Sequence, residues 1–160
     1  MLSIATVNVN GIRAAFRKGM GEWLAERAPD VVLMQETRAP EDIVASFFPE
    51  EAGWHLAVHP CEIKGRAGVA IASRLPVMAS RVGLIQGDGS DEPPVDTGRW
   101  IEADLALGGG QAVTVVSTYF HSGTNTPEMQ HTMDAKYAHL AKADARLVEL
   151  VGRDHPVIVA

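Results

Sequence analysis

Three short polar clusters sit where apolar, strand-like runs give out, and their side chains suit chemistry at a phosphoryl group. Asn8-Val9-Asn10-Gly11-Ile12-Arg13 closes the first run, Gln35-Glu36-Thr37-Arg38 follows Val31 to Met34, and Tyr119-Phe120-His121-Ser122-Gly123 follows Val113 to Thr118. In open α/β sheets, strand ends are where sites are assembled. Glu36 offers the hard oxygen that Mg²⁺ favours alongside water. Asn8 lies inside a strand-like run, a costly place for an amide without a partner, so it is expected to find one nearby. A cation held there would polarise a phosphoryl oxygen and stabilise the charge building on a leaving alkoxide. Tyr119 could hydrogen-bond the phosphate or the attacking oxygen.

Each cluster taken alone has a plainer reading. A Glu after a strand is ordinarily its first solvated residue, Asn10-Gly11 is ordinarily a turn, and a Tyr closing a strand ordinarily packs. The six histidines lack the spacing of a zinc site. Only His121 stands in one of the three clusters, and on its own it is a weak candidate.

The elements that must position these residues can be read from periodicity. Leu2 to Val9 is β-branched and apolar, ending at the Asn10-Gly11 turn. Phe16, Met20, Trp23, Leu24 and Arg27 recur at helical spacing, predicting one helix from about Ala14 to Ala28, ended by Pro29-Asp30. Val31-Val32-Leu33-Met34 is an unbroken apolar run, as in a strand covered on both faces. A short helix is expected near Glu41 to Phe48. Strands are predicted at Trp54 to Val58, Gly68 to Ser73, Val77 to Val82, Trp100 to Leu107 and Ala112 to Tyr119, with Gly108-Gly109-Gly110 as the turn joining the last two.

Gly87 to Asp96 reads as a flexible surface loop. Thr126 is a good N-cap with Pro127 at the first helical position, and Met129, Met133, Tyr137, Leu140, Leu147 and Val151 mark one face of a long helix. Pro156 to Ala160 starts another buried strand. Strand–helix–strand units framing a run of hairpin strands predict an α/β fold: two packed mixed β-sheets flanked by helices, a four-layer α/β sandwich. The last residues stop in mid-strand, so residues 1–160 are expected to be the N-terminal part of a single domain, truncated after about its first 160 residues.

Composition narrows the classes. A formal net charge of −6 argues against coating nucleic acid by bulk electrostatics, while leaving room for a local basic face. A single cysteine, Cys61, excludes an intrachain disulfide framework. No apolar run approaches the roughly 18 residues of a membrane span. The start of the chain runs directly into a strand pattern with no basic leader, so a cytoplasmic location is expected. There is no coiled-coil pattern or interface stripe, and a monomer is expected.

Taken together and in order, the motifs resemble a known family. Pro29-Asp30-Val31-Val32-Leu33-Met34-Gln35-Glu36-Thr37-Arg38 closely resembles the signature of the exonuclease III class of apurinic/apyrimidinic endonucleases, within the endonuclease/exonuclease/phosphatase superfamily. Asn8 to Arg13 looks like that family's first motif, Gly65-Arg66-Ala67-Gly68-Val69-Ala70 its Gly-Val-Ala strand, Gly98-Arg99-Trp100-Ile101 its arginine-bearing strand, and Tyr119-Phe120-x-x-Gly123 its tyrosine motif. The resemblance runs from about residue 3 to residue 160.

It implies a hydrolase using Mg²⁺ or Mn²⁺ to cut double-stranded DNA at abasic sites and to act on its 3′ ends. Glu36 would be a metal ligand with Asn8 beside it. Tyr119 would be the catalytic tyrosine on the phosphate, and Asn10, Arg13, Arg66 and Arg99 would face DNA. Two residues depart from the pattern: Arg38 stands where the signature has Lys, keeping charge but not geometry, and His121 stands where many members have Pro. The family's Gly-Asp-x-Asn motif would follow Val157-Ile158-Val159-Ala160, so the 160 residues alone are expected to be essentially inactive and prone to aggregate. The alternatives are a superfamily relative acting on a non-DNA phosphoester, such as an inositol phosphate or sphingomyelin, and a non-catalytic module binding DNA or protein through the same face.

Overall fold

Alternation along the strands decides the layering. In the computed structural model, which describes residues 1–160, β1 (Ile4–Asn8), β2 (Val31–Gln35), β3 (His55–His59) and β4 (Val69–Ser73) form one sheet in the order β1-β2-β4-β3. Strand β1 runs parallel to β2, while β4 is antiparallel to both β2 and β3. A second sheet holds β5 (Val77–Val82), β6 (Trp100–Gly108), β7 (Gln111–Thr118) and β8 (Val157–Val159) in the order β5-β6-β7-β8, with only the β7–β8 pair parallel.

Val31 and Leu33 of β2 point with Val69, Ile71, Ile101, Ala103, Leu105, Val113 and Val115 into the space between the sheets. Val32 and Met34 point the other way, onto α1 (Ile12–Arg17), α2 (Met20–Arg27) and α3 (Glu41–Ala45). On the far side, α4 (Gln130–Val151) covers the second sheet through Trp100, Val116, Ala143 and Leu150. The result is helices, sheet, sheet, helix: the expected four-layer sandwich. No helix is long and apolar enough to cross a membrane.

Most elements fall where periodicity puts them, and the hairpin turn is Gly109-Gly110 with both residues at positive φ, closing on the Gly108–Gln111 pair. Three expectations change. The single helix from Ala14 to Ala28 is two helices, because Gly19 takes φ 99° and breaks the hydrogen-bond ladder after Lys18. The stripe expected on the long helix is rotated: Tyr137 and Val151 are exposed, and His139, Ala143 and Leu150 are buried instead. Charged contacts, described below, turn that helix face toward the sheet. Finally, Gly87 to Asp96 is not simply a surface loop, since Glu92 and Asp96 are buried within it and the Leu84 amide donates to Glu92 Oε1 at 2.6 Å.

Candidate active site

The ends of β2 and β7 meet at one edge of the sandwich, and this brings Glu36 and Tyr119 together from distant parts of the sequence. Glu36 follows β2 and is largely buried. Asn8 Nδ2 donates to its Oε1 at 2.7 Å, and Arg38 pairs with its Oε2. The Tyr119 phenol faces the same carboxylate, and each shifts the other. Burial pushes the Glu36 carboxyl up, but the hydrogen bonds from Asn8, Tyr119 and Arg38, with the Arg38 charge, outweigh it and hold the group below the usual carboxylate range. Tyr119 moves the opposite way: burial first, then the neighbouring carboxylate, raise its phenol above the usual value.

The loops around these residues are held in conformations that local propensity disfavours. Asn10, Glu36, Arg38 and Ala67 all take positive φ, between 39° and 54°, four of the chain's five non-glycine residues that do so. Such residues cost of order 1–3 kcal/mol each and persist only where surrounding structure dictates them. Here it does. The amides of Gly11 and Ile12 donate to the carbonyls of Glu36 and Thr37, and the amides of Thr37 and Arg38 donate to the carbonyls of Gly68 and Ala67. Gly98 takes φ 69°, and a Cβ there would lie 2.7 Å from the Cys61 nitrogen and 2.9 Å from that of Gly68. Close backbone approach at this point is what lets three loops converge.

Together they frame an open cleft of about 390 Å³ whose walls include Glu36, Arg38, Arg66, Arg99, Tyr119 and His121. Glu36 is its one carboxylate and is already neutralised, so the cleft suits an anion. Arg99 is half-buried, with Nε donating to the Val95 carbonyl at 2.9 Å and Nη1 to that of Tyr119 at 3.3 Å, its guanidinium 5.3 Å from the Tyr119 ring centre. It shapes the Tyr119 loop as much as it charges the cleft. Arg66 is exposed on the rim.

Of the residues singled out from sequence, Asn8, Glu36, Tyr119, Arg66 and Arg99 come together. Asn10 and Arg13 are exposed beside Asn8 and line no part of the cleft; the Asn10 amide caps Asn8 Oδ1 at 3.0 Å. Asp96, which ties His121 in place, carried no sequence signal because it lies in a Gly- and Pro-rich stretch. For a divalent cation, the donor set is partial. No group of three His, Cys, Asp or Glu side chains converges here. Yet Mg²⁺ commonly takes one or two carboxylates plus water, and Glu36 already holds a positive charge on Oε2, that of an Arg38 side chain exposed enough to move aside.

Comparison with known proteins decides the kinship. The sequence model of the Endonuclease/Exonuclease/phosphatase family matches residues 5–160. The chain belongs to this family. Its fold is similar to the AP endonuclease from Archaeoglobus fulgidus, with 32% identity and a TM-score of 0.64 over 89% of this chain and 52% of that one. It is also similar in fold to the 3′-5′ exonuclease NExo of Neisseria meningitidis, at 24% identity and a TM-score of 0.63, covering 88% of this chain and 50% of that one. The 3′ phosphatase NExo from Neisseria bound to product DNA hairpin matches at 24% identity and a TM-score of 0.62, over 89% of this chain and 51% of that one. The chain thus spans about half the length of the solved structures it matches. An AP endonuclease and a 3′ phosphatase bound to product DNA hairpin are among its structural neighbours.

Proposed function

We propose that the intact protein is a divalent-metal-dependent nuclease of the exonuclease III type, hydrolysing phosphodiester bonds of double-stranded DNA at abasic sites and 3′ ends. The observation that carries this reading is Glu36, bonded by Asn8 and faced by Tyr119, on the wall of an arginine-lined cleft. Glu36, oriented by Asn8, would hold Mg²⁺ or Mn²⁺, and the bound ion would supply Lewis-acid stabilisation of charge on the phosphoryl and leaving oxygens. Tyr119, whose phenol faces that carboxylate, would contact the phosphate. Arg66 and Arg99 attract and seat the phosphate backbone, contacts that set register without reading sequence. Asn10 and Arg13, outside the cleft, extend the same face toward flanking DNA. A monomer in the cytoplasm completes the reading.

The 160 residues alone are expected to turn over DNA poorly, because catalytic units lose activity steeply when any part is missing. The test is incision of an abasic-site duplex by the intact protein with Mg²⁺, compared with its Glu36→Ala variant. Incision lost in the variant and on chelation supports the reading. Absence of incision, with release of phosphate from a non-DNA phosphoester instead, would assign the family's other chemistry.

A further inference from the structure

His121 lines the cleft two residues beyond Tyr119, and nothing in the proposed chemistry employs it. Its Nε2–H donates to Asp96 Oδ1 at 2.7 Å, while Lys142 Nζ donates to Oδ2 of the same carboxylate at 3.1 Å. Asp96 is 7% exposed, so it is a fixed post rather than a mobile surface acid. One face of the ring is also closed: His139 packs edge-on, with ring centres 5.3 Å apart at 89°. The imidazole is therefore held by one edge and backed by a buried ring. Its other nitrogen, Nδ1, has no protein partner and is reached by solvent.

The remaining cations of the cleft are differently occupied. With no cation bound, Arg38 pairs with Glu36, and Arg99 spends Nε and Nη1 on backbone carbonyls, keeping Nη2 for a ligand. Arg66, the remaining Arg99 nitrogen and the His121 ring are the basic groups that the wall offers to an incoming anion. A pre-oriented ring loses little entropy when it bonds a ligand, unlike an exposed arginine.

We propose that His121 is a phosphate-contacting residue: Nδ1 of the Asp96-anchored ring bonds a phosphoryl oxygen of the nucleic-acid ligand held in the cleft. With Nε2–H spent on Asp96, a neutral ring presents only a lone pair at Nδ1. The bond to an anionic oxygen therefore takes one proton from solvent, and the ring becomes imidazolium. The charged and titratable groups around the ring include Asp96, Lys142 and His139, with Arg99 and Arg66 on the cleft wall and Lys136 on the Ser122 carbonyl. The inference rests on the phosphoester reading of the cleft, but it can fail separately from that reading.

The experiment is ¹⁵N NMR of the imidazoles in the intact protein without divalent metal, so that nothing turns over. The His121 signals are assigned with a His121→Gln variant. Three probes are titrated: inorganic phosphate, a 3′-phosphorylated duplex and the same duplex ending in a 3′-hydroxyl. Nδ1 of His121 should move from the lone-pair to the protonated range, and His121→Gln should weaken binding of the responding probe about tenfold or more, as for loss of one charged hydrogen bond. A response to both duplexes assigns a backbone phosphodiester; a response to the phosphorylated one alone assigns a terminal phosphate. His121 signals unmoved by all three probes overturn the inference, even if the protein incises DNA. Conversely, a shifted His121 in a protein that cuts no DNA with Mg²⁺ would sink the nuclease reading and leave the phosphate contact standing.

Discussion

Gln35 and Ser117 hydrogen-bond across the interior of the sandwich, Nε2 to Oγ at 3.0 Å, one residue before Glu36 and two before Tyr119. Ser117 Oγ in turn donates to the Met34 carbonyl at 3.0 Å, and Gln35 Nε2 also reaches Thr6 Oγ1 at 3.2 Å. This polar bridge, set among aliphatic side chains, fixes the separation of the two strand ends that carry the site. Ser117→Ala leaves half of a buried amide unpaired, and should cost about 1–2 kcal/mol of stability in urea unfolding. Turnover should fall further than that loss explains, because small misplacements of reacting groups are expensive. Wild-type stability and rate in the variant would show the bridge to be incidental.

The state of Glu36 depends on Asn8. Burial alone would raise this carboxyl; the amide of Asn8, the Tyr119 phenol and Arg38 hold it down. Asn8→Ala should therefore move the Glu36 titration upward, read by ¹³C NMR of its side-chain carboxyl. A folded value below the usual 4.5 means its contribution to stability is present above the usual value and is lost as pH falls through the folded one. In the variant that loss begins at higher pH. An unchanged Glu36 titration would mean that Arg38 and Tyr119 suffice without Asn8.

How much of this was legible in sequence follows from what each signal encodes. Val31 to Met34 announced a doubly covered strand because both faces are apolar, and the Asn8, Glu36 and Tyr119 clusters stood out because polar residues interrupt such runs. Asp96 was invisible: its burial comes from His121 and Lys142, 25 and 46 residues away, and no local pattern records a long-range partner. The long helix misled for a related reason. Its apolar residues outline a stripe, yet Arg146 and Lys142 reach buried carboxylates, and those pairings turn Tyr137 and Val151 outward.

His139 is a liability in acid. It is 1% exposed and neither ring nitrogen has a partner; burial pulls it from the usual 6.5 to about 4. Between those values the unfolded chain binds a proton that the folded chain refuses, so stability present above pH 6.5 is lost progressively down to about pH 4. The full loss is on the order of 3 kcal/mol. His139→Leu gives up no hydrogen bond, so it should match or exceed the wild type near neutrality and lack this share of the acid slope. Urea midpoints at pH 5 and 7.5 provide the comparison, and equal slopes in both proteins would refute the assignment.

Glu102 anchors α4 to the second sheet. Its side chain, 3% exposed, accepts Arg146 Nε and Nη2, both at 2.7 Å, and Trp100 Nε1 at 2.8 Å. Arg146 also pairs with Glu149, but that carboxylate is 64% exposed. The two partners of one arginine should therefore differ sharply in worth. Glu149→Ala removes a hydrated pair and should cost no more than about 0.5 kcal/mol. Arg146→Met leaves a buried carboxylate with the Trp100 indole, and with Arg81 at 3.8 Å and Arg153 at 4.0 Å as its remaining cations. Breaking such a pair costs about 3–5 kcal/mol in general, and the residual arginines place this case near the lower end. Adding Glu102→Gln to Arg146→Met should recover part of the loss, since the uncompensated charge goes with it. A double-mutant cycle in urea tests this directly: equal costs for the Glu149 and Arg146 variants, or no recovery in the double variant, would mean that the helix is held by Ala143 and Leu150 rather than by the charge.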